Sequence, residues 1–492
     1  MKKWTKLVLA GMALAIYSSW SYLPHNSNVA SAVSKTHEVA STPYQVTDAT
    51  FKYDFLPKEE MPILGYMAMP PANATDGDSE GRNPSFITKS NFQTYKDAGF
   101  NILSGLHERE PFSPAEVRKA LQLCQDLDLA YFLNDVSYRC DSNAGTVQAG
   151  SYEYFKEMMQ DEWYLYEDNF AGITVKDEPA AADFDGMANV NKALNELTDG
   201  KSIYSTLFPS YVATYRLYLE NAPTDKWEAY RRYVTEYIEK LQPSMIPYNC
   251  YAFMRPGATL ENTYASASQK AAARANLVDY FTSLSLFREM SQKYDLPFWV
   301  TVTSYNHRNN QQMPEKGITW TVNTSLAYGA KGLQYYTYWS HLEGNPEKWA
   351  THAKRGLVTA NGTPHDTYYQ IKAINENVKI VDEVLMASTN KGVIQFGKNV
   401  VPLVQKDVLY SYELLNNISG GDTFVGCFDH NGKAVYYIVN NSINAGRQTF
   451  KAEFLDKVNV RLTNSEGTTT LMDTYSAGFN LSGGQAILLE VL

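Results

Sequence analysis

From Met61 to about Met386, short apolar runs alternate with longer segments in which apolar residues recur every three or four positions. The short runs are typical of buried strands in a parallel sheet, and the longer segments of helices that pack along one face. The predicted strands are Met61–Met69, Asn101–Leu106, Ala130–Val136, Ala171–Lys176, Ser202–Phe208, Met245–Tyr251, Phe298–Thr303 and Leu333–Trp339. Eight strand–helix units over roughly 320 residues favour an α/β fold of the (β/α)8 TIM barrel type over an open doubly wound sheet.

Two of the intervening helices carry clear local signals. Ser113 stands directly before Pro114, and Glu116 follows in the first turn, which is the usual order of residues at a helix start. The segment Trp227–Leu241 places tyrosines and aliphatic residues three and four positions apart, so that they form one apolar stripe. We expect this helix to pack on the outside of the sheet.

After a predicted helix around Tyr368–Val384, the chain changes to short β-rich runs separated by Gly, Asn and Asp. These runs are Gly392–Phe396, Thr423–Asp429, Ala434–Asn440, Gln448–Phe454 and Ala486–Leu492. The four residues from His430 to Lys433 contain Asn-Gly, which predicts a tight hairpin between two of the runs. The pattern therefore predicts a barrel over 58–386 and a C-terminal β-sandwich over 387–492.

The N-terminus has the order of a secretory signal peptide. Three lysines stand among the first six residues, the apolar run Leu7–Ile16 follows, and Ala30-Ser31-Ala32 supplies small residues for cleavage. We predict a signal peptide over 1–32, a polar linker over 33–57, and a secreted or extracytoplasmic protein. No cysteine directly follows the apolar run, which argues against a lipid anchor, and no other apolar segment approaches the length of a membrane span.

Charge and cysteine usage narrow the classes of partner. The formal net charge is -10 and no Lys/Arg-rich run offsets it, so nucleic acid is not expected as a partner. The four cysteines, Cys124, Cys140, Cys250 and Cys427, are far apart and show no paired metal-binding spacing. No His/Asp/Glu spacing builds a metal site either, and no cofactor motif is present. The sequence gives no indication of the oligomeric state.

The fourth predicted strand leads into the most informative segment of the chain. In a (β/α)8 barrel the functional groups lie on loops that leave the carboxyl ends of the strands. Here the strand delivers two adjacent carboxylates, Asp177 and Glu178, followed by Pro179. Glycoside cleavage needs an acid and a second carboxylate as base or nucleophile, and Glu178 is placed for the first role. Alternatively, either carboxylate caps a short helix that begins at Pro179.

Several segments together resemble the barrels of clan A glycoside hydrolases, and within that clan the β-galactosidase-like barrels. They are Asp177-Glu178-Pro179, Tyr204–Tyr211, Tyr328–Trp339, Gly356–Pro364 and Tyr368–Asn375. The likeness spans most of Met61 to Met386. It implies a (β/α)8 fold, hydrolysis of glycosidic bonds, and Glu178 as the acid/base at the end of strand four.

The chain departs from that clan at strand seven. The clan has its nucleophilic Glu at the end of this strand, whereas this chain reads Thr303-Ser304-Tyr305-Asn306. The clan also has Asn where this chain has Asp177. Three alternatives stay open: an inverting pair of Glu178 with another carboxylate, a substrate acetamide oriented by Asp177, or a partner in the loop after strand eight. The candidate partner carboxylates are Asp135, Glu108, Glu110 and Glu343, each of which could equally be a solvated or capping loop residue.

Aromatic residues at the strand ends are candidates for stacking on sugar rings, with a hydroxyl or indole N–H left to form hydrogen bonds. The candidate substrate-binding residues are Trp339, Tyr338, Tyr305, Tyr251, Tyr211, His107 and Asn249, with His307 and His341 as further loop histidines. The resemblance favours Trp339 as the platform, because the related barrels keep a Trp at the end of strand eight. Most of the 65 aromatic residues nevertheless serve core packing, and a lone loop histidine is usually solvated.

The sequence therefore supports two principal hypotheses of different classes. The first is an exported glycoside hydrolase with Glu178 as general acid and a partner carboxylate still to be identified. The second is a catalytically inactive carbohydrate-binding barrel, which the missing strand-seven carboxylate suggests. A structural module of the cell surface is a third hypothesis, for which the composition offers no positive sign.

Overall fold

In the computed structural model, eight short strands pair in parallel and curve into a barrel. The structure describes residues 54–74, 83–104, 113–134, 151–198, 200–218, 222–253, 267–306, 311–312, 314–340, 356–398 and 400–492, with only the backbone described at 269–270, 305–306 and 311–312. The barrel strands are β1 Ile63–Gly65, β2 Ile102–Ser104, β3 Ala130–Leu133, β4 Phe170–Thr174, β5 Ser202–Tyr204, β6 Ile246–Asn249, β7 Phe298–Thr303 and β10 Leu333–Tyr336. Their order around the sheet is β5-β4-β3-β2-β1-β10-β7-β6.

The two ends of this sheet meet beyond the last paired residue of β5. Leu207 donates its N–H to the carbonyl of Pro247 at 2.9 Å, and Asn249 donates its N–H to the carbonyl of Leu207 at 3.0 Å. These bonds join β5 to β6 in parallel and complete the ring. The expected (β/α)8 barrel is therefore confirmed.

The helices that the structure describes lie between the strands in chain order. They are α1 Lys89–Asp97, α2 Pro114–Asp126, α3 Tyr152–Met159, α4 Phe184–Thr198, α5 Thr214–Leu217, α6 Lys226–Leu241, α7 Ala267–Tyr294, α8 Glu315–Ala327 and α9 Asp366–Met386. As predicted, α2 begins after Ser113, whose hydroxyl accepts the N–H of Glu116 at 3.3 Å. The short hairpin β8 Tyr305–Asn306 and β9 Gln311–Gln312 follows β7.

The barrel interior is filled by aromatic and polar side chains in contact with one another. Phe132 stacks on Tyr204 with ring centroids 5.0 Å apart, and Phe55, from the segment before β1, packs edge-on against Phe132 at 5.2 Å. The Tyr204 hydroxyl donates to Gln334, whose amide donates in turn to Thr301. Because the interior is packed, ligands can reach the barrel only at its ends.

Seven antiparallel strands form the C-terminal β-sandwich. They are β11 Thr389–Phe396, β12 Leu415–Ser419, β13 Thr423–His430, β14 Lys433–Asn440, β15 Gln448–Asn464, β16 Gly467–Leu481 and β17 Ala486–Val491. The sheet follows the order β11-β13-β14-β17-β15-β12 and folds over an apolar core, with β16 paired to β15. The predicted hairpin is confirmed: His430 pairs with Lys433, and Asn431 and Gly432 both have positive φ.

Alternating residues of β13 and β14 face opposite sides of this sheet. Val425 and Cys427 belong to the sandwich core, whereas Phe424 and Phe428 belong to the core of the barrel. Helix α8 lies against this second face, where Asn323 accepts a hydrogen bond from the Tyr437 hydroxyl at 2.7 Å. The barrel and the sandwich therefore share a continuous apolar contact.

Within the part of the chain that the structure describes, no helix combines the length and apolar character needed to cross a bilayer. Cys124, Cys250 and Cys427 are buried free thiols, and Cys140 lies outside the described residues. Cys250 follows β6 directly and is 3% exposed.

Candidate active site

Buried polar side chains line the carboxyl ends of the barrel strands. Phe132, Tyr204, Thr301 and Gln334 contact one another inside the barrel, so residues two positions later along the chain are expected to point to the same inner side, nearer the mouth. These residues are Asn134, Thr206, Thr303 and Tyr336, and the first three are less than 9% exposed. The alternation of the strands thus places a polar surface at the end of the barrel where such folds carry their chemistry.

Glu178 lies at this mouth, four residues beyond the end of β4. Its backbone has φ +48°, in the left-handed region that side-chain-bearing residues rarely adopt. Its N–H donates to the carbonyl of Thr206 at 2.9 Å, so the turn is bonded to the extension of β5. A residue held in this conformation costs of order 1–2 kcal/mol, which the surrounding hydrogen bonds must offset.

The carboxylate of Glu178 is bonded to the end of β6. Asn249 donates from Nδ2 to Oε1 of Glu178 at 2.8 Å, and the Tyr251 hydroxyl donates to Oδ1 of Asn249 at 3.3 Å. Asn249 is 7% exposed, whereas Glu178 and Tyr251 are half-buried. Three residues that the sequence suggested separately are thus brought together by β4 and β6.

Tyrosines from the next elements surround the Glu178 turn. The Tyr233 hydroxyl of α6 donates to the carbonyl of Pro179 at 2.6 Å, and that of Tyr230 donates to the carbonyl of Phe208 at 2.6 Å. Tyr211 lies in the loop after β5, and its buried hydroxyl has no hydrogen-bond partner among the described residues. Burial raises the pKa of Tyr211 and Tyr230 well above the usual range, and the Cys250 thiol and the Glu178 carboxylate add to the rise. These hydroxyls therefore stay protonated near neutral pH and can act as donors.

The neighbouring carboxylates differ from Glu178 in their surroundings. Asp177 is exposed. Asp183 is 1% exposed, and its carboxylate accepts bonds from Lys176 at 2.9 Å and from the N–H of Ala180 at 2.7 Å. This buried ion pair fixes the loop after β4, and it leaves Glu178 as the half-buried carboxylate of the segment.

Thr303 is the last residue of β7 and is 7% exposed. Ser304 follows it, and its hydroxyl donates to the carbonyl of Tyr336 at 3.1 Å. In the described residues that directly follow the eight barrel strands, the carboxylates are Asp177, Glu178 and Asp183. The structure thus places hydroxyl groups, and no carboxylate, at the described end of strand seven.

The two rings expected to form a sugar platform after strand eight lie in packing contacts instead. Tyr338 is 1% exposed and packs edge-on against Tyr95 of α1, with centroids 4.7 Å apart. Trp339 is also 1% exposed, packs against Phe86 at 4.9 Å, and donates from its indole N–H to the carbonyl of Ala360 at 3.1 Å. In this structure neither ring offers a face to a ligand, which corrects that expectation.

Two other tyrosines, which the sequence analysis missed, lie at the ends of β1 and β10. Tyr336, the last residue of β10, is half-buried, and its ring lies 5.6 Å from that of Tyr66, just after β1. The Tyr66 hydroxyl is buried and has no partner among the described residues. Counting in steps of two from Gln334 would have indicated Tyr336 as the inward-facing ring.

The remaining expected residues lie outside the described part of the chain, or have only their backbone described. Tyr305 is in β8, and its backbone pairs with Gln312. The residues outside the description are His107, Glu108, Glu110, Asp135, His307, His341 and Glu343. Among the described residues, no cluster of three or more His, Cys, Asp or Glu side chains is arranged to hold a metal ion.

Comparison with solved structures returns several proteins that are similar to this chain at low sequence identity. An α-amylase from Geobacillus thermoleovorans complexed with acarbose matches with a TM-score of 0.49 and 10% identity, covering 89% of this chain and 99% of its own. AmyP in complex with maltotriose matches at 0.48 and 9% identity, covering 91% and 99%. A glucosidase from Croceicoccus marinus matches at 0.40 and 7%, covering 88% and 97%. No family model matches the chain, and no curated protein matches it in sequence.

Proposed function

We propose that this protein is an exported enzyme that hydrolyses a glycosidic bond in a carbohydrate, with Glu178 as its general acid. One observation carries the proposal: Glu178 is held at the carboxyl end of the barrel by its own N–H and by the amide of Asn249. A general acid must be fixed within hydrogen-bond reach of the leaving oxygen, and a carboxyl group on a bonded turn meets that need better than one on a free loop.

The surroundings of Glu178 fit a polyhydroxylated ligand. Buried hydroxyl and amide groups line the mouth, and half-buried rings stand at Tyr336 and Tyr251. Sugars combine hydroxyl groups with apolar ring faces, so a mixture of donors and aromatic faces suits them. The identity of the partner carboxylate stays a prediction from the sequence. Asp135 is the first candidate, and Glu108, Glu110 and Glu343 are the others.

The decisive experiment is Glu178→Gln in the secreted protein, assayed against a panel of aryl glycosides and oligosaccharides. Because the amide cannot donate a proton to the leaving group, we expect kcat to fall by about 10²–10⁴-fold. The melting temperature should stay within a few degrees of wild type, because shape and volume are retained. Glu157→Gln, the same change at an exposed position of α3, is the matched control and should keep full activity. Equal activity of Glu178→Gln and wild type would contradict the assignment.

A catalytically inactive sugar-binding barrel is the second candidate, and the hydroxyl-terminated end of β7 favours it. On this alternative, wild type and Glu178→Gln bind the same glycans with similar affinity, and neither releases product on prolonged incubation. Release of reducing sugar that depends on Glu178 would exclude this second function.

A further inference from the structure

Both ends of the Asn249 side-chain amide form hydrogen bonds, one to Glu178 and one to Tyr251. We propose that Asn249 and Tyr251 are positioning residues that fix the rotamer of Glu178 and favour its ionised form. This inference rests on the proposed acid–base role of Glu178. It gives Asn249 and Tyr251 a role toward the carboxylate in addition to the substrate-binding role that the sequence suggested.

The distance between the two side chains is set by the closure of the barrel. Glu178 donates its N–H to the carbonyl of Thr206, and Asn249 donates its N–H to the carbonyl of Leu207 at 3.0 Å. Two consecutive residues beyond β5 therefore hold the backbones of both partners. The contact between Nδ2 and Oε1 does not depend on a flexible loop, and so it can define the orientation of the carboxylate.

The Tyr251 hydroxyl is bonded to the acceptor end of the Asn249 amide, and the donor end faces Glu178. A tyrosine hydroxyl carries one proton, and here it is donated to Oδ1 of Asn249. Reversing the amide would replace this bond by one donated from Nδ2 to the hydroxyl, and it would place Oδ1 against an oxygen of Glu178. Two acceptors in contact repel each other unless Glu178 is protonated, so the observed orientation suits the carboxylate form.

A hydrogen bond donated to the charged form of an acid lowers its pKa. Glu178 must release a proton and regain it in each catalytic cycle, so the Asn249 bond sets the pH range in which both forms are available. Removing the bond should therefore move the titration of Glu178 to higher pH.

Among the described residues, titratable groups face Glu178 from several elements. They are Tyr211 after β5, Tyr230 and Tyr233 of α6, Cys250 and Tyr251 after β6, and Lys176, Asp177 and Asp183 of its own segment. Burial raises the pKa of the Tyr211, Tyr230, Tyr233 and Cys250 side chains, so they are neutral where a carboxyl group titrates. Lys176 is bonded to Asp183.

The test is a direct titration of Glu178 in the full chain, followed by the side-chain carboxyl ¹³C signal of protein labelled with [5-¹³C]glutamate. Glu178→Gln identifies the signal by its loss. For Asn249→Ala we expect the midpoint to rise by about one pH unit, and for Tyr251→Phe a smaller rise in the same direction. Asn249→Asp, which keeps the side-chain volume, should raise one midpoint further, because two facing carboxylates share a proton. Asn249→Asp also provides the test if Asn249→Ala does not fold.

Tyr215→Phe is the matched control for the tyrosine change, because Tyr215 is 67% exposed and should leave the midpoint unchanged. An unchanged midpoint in Asn249→Ala, or a downward shift in Asn249→Asp, would overturn the proposal. A wild-type titration midpoint in Tyr251→Phe would show that Tyr251 is not a positioning residue for Glu178. The titration needs no substrate, so it stays informative even if Glu178→Gln retains full activity and the proposed function fails.

Discussion

At the scale of single residues, the distinctive feature is a glutamate in a backbone conformation that favours glycine. Glu178 has φ +48°, and its N–H is bonded to the carbonyl of Thr206. Residues in this region are held there by their surroundings, and they concentrate at functional positions. The conformation of this turn lowers local stability, but it places a carboxylate beside Asn249.

This reasoning predicts a difference between two variants that both lack the carboxylate. Glu178→Gly should be about 1 kcal/mol more stable than Glu178→Ala, because glycine adopts positive φ without a steric cost. The free energy of unfolding, measured in urea, checks this. At exposed Glu157 within α3 the order should reverse, since alanine favours a helix over glycine by about 1 kcal/mol. An alanine variant at Glu178 as stable as the glycine variant would argue against the left-handed turn in solution.

At the scale of elements, α6 supports the site from outside the barrel. Its apolar stripe was predicted from the sequence, and two tyrosines of that stripe, Tyr230 and Tyr233, also bond to the loops at the mouth. The hydroxyl of Tyr233 reaches the carbonyl of Pro179, next to Glu178, whereas that of Tyr237, one turn further, is buried without a partner among the described residues. Two fully buried tyrosines of one helix thus differ in a single hydrogen bond.

Tyr233→Phe should lower the free energy of unfolding by about 1–2 kcal/mol, because it leaves the Pro179 carbonyl without its donor. Tyr237→Phe is the matched control: it should be neutral or stabilising, since no bond is lost and a buried polar group is removed. Chemical denaturation of both variants measures the difference. Equal losses would mean that ring packing, rather than the bond to Pro179, accounts for the role of Tyr233.

Strand positions could be predicted from the sequence because each barrel strand is a buried apolar run between turn signals. β7 matches its predicted bounds, whereas the predicted strands Met61–Met69, Ser202–Phe208 and Leu333–Trp339 extend two or more residues too far. Beyond Tyr204 and Tyr336 the chain still carries apolar residues, such as Leu207 and Tyr338, but leaves the regular ladder. β12 and β16 were missed because Asn417 and the Thr468–Thr470 run give little apolar signal for a sheet.

The candidate site was predictable only in part. Glu178, Asn249 and Tyr251 could be predicted as site residues because they stand at or just beyond the ends of predicted strands, and parallel strands bring their carboxyl ends to one face of the barrel. Tyr338 and Trp339 failed as exposed rings because the chain turns after Tyr336, a change that composition does not reveal. The bond between Asn249 and Glu178 depends on the register of β4, β5 and β6, and no local pattern encodes that register.

At the scale of the whole molecule, the sandwich completes the core of the barrel. Phe424 and Phe428 of β13 contact the barrel core, and Gly426 between them lies directly on the backbone of α8. A Cβ atom at Gly426 would lie 2.2 Å from the carbonyl oxygen of Ala327. The close approach therefore requires glycine, and the two parts should unfold together because neither buries this surface alone.

Gly426→Ala tests this arrangement. The added methyl group would overlap the backbone of α8, and the overlap could be relieved only if the whole helix moved. We expect a loss of about 2–3 kcal/mol and a single, lower-temperature calorimetric transition for barrel and sandwich. Gly446→Ala is the matched control, since a Cβ there meets nothing within 4 Å. If the Gly426 variant instead showed two separate transitions, with only the sandwich destabilised, the barrel would hold its fold independently. The position of α8 behind β7 and β10 would then not depend on the sandwich.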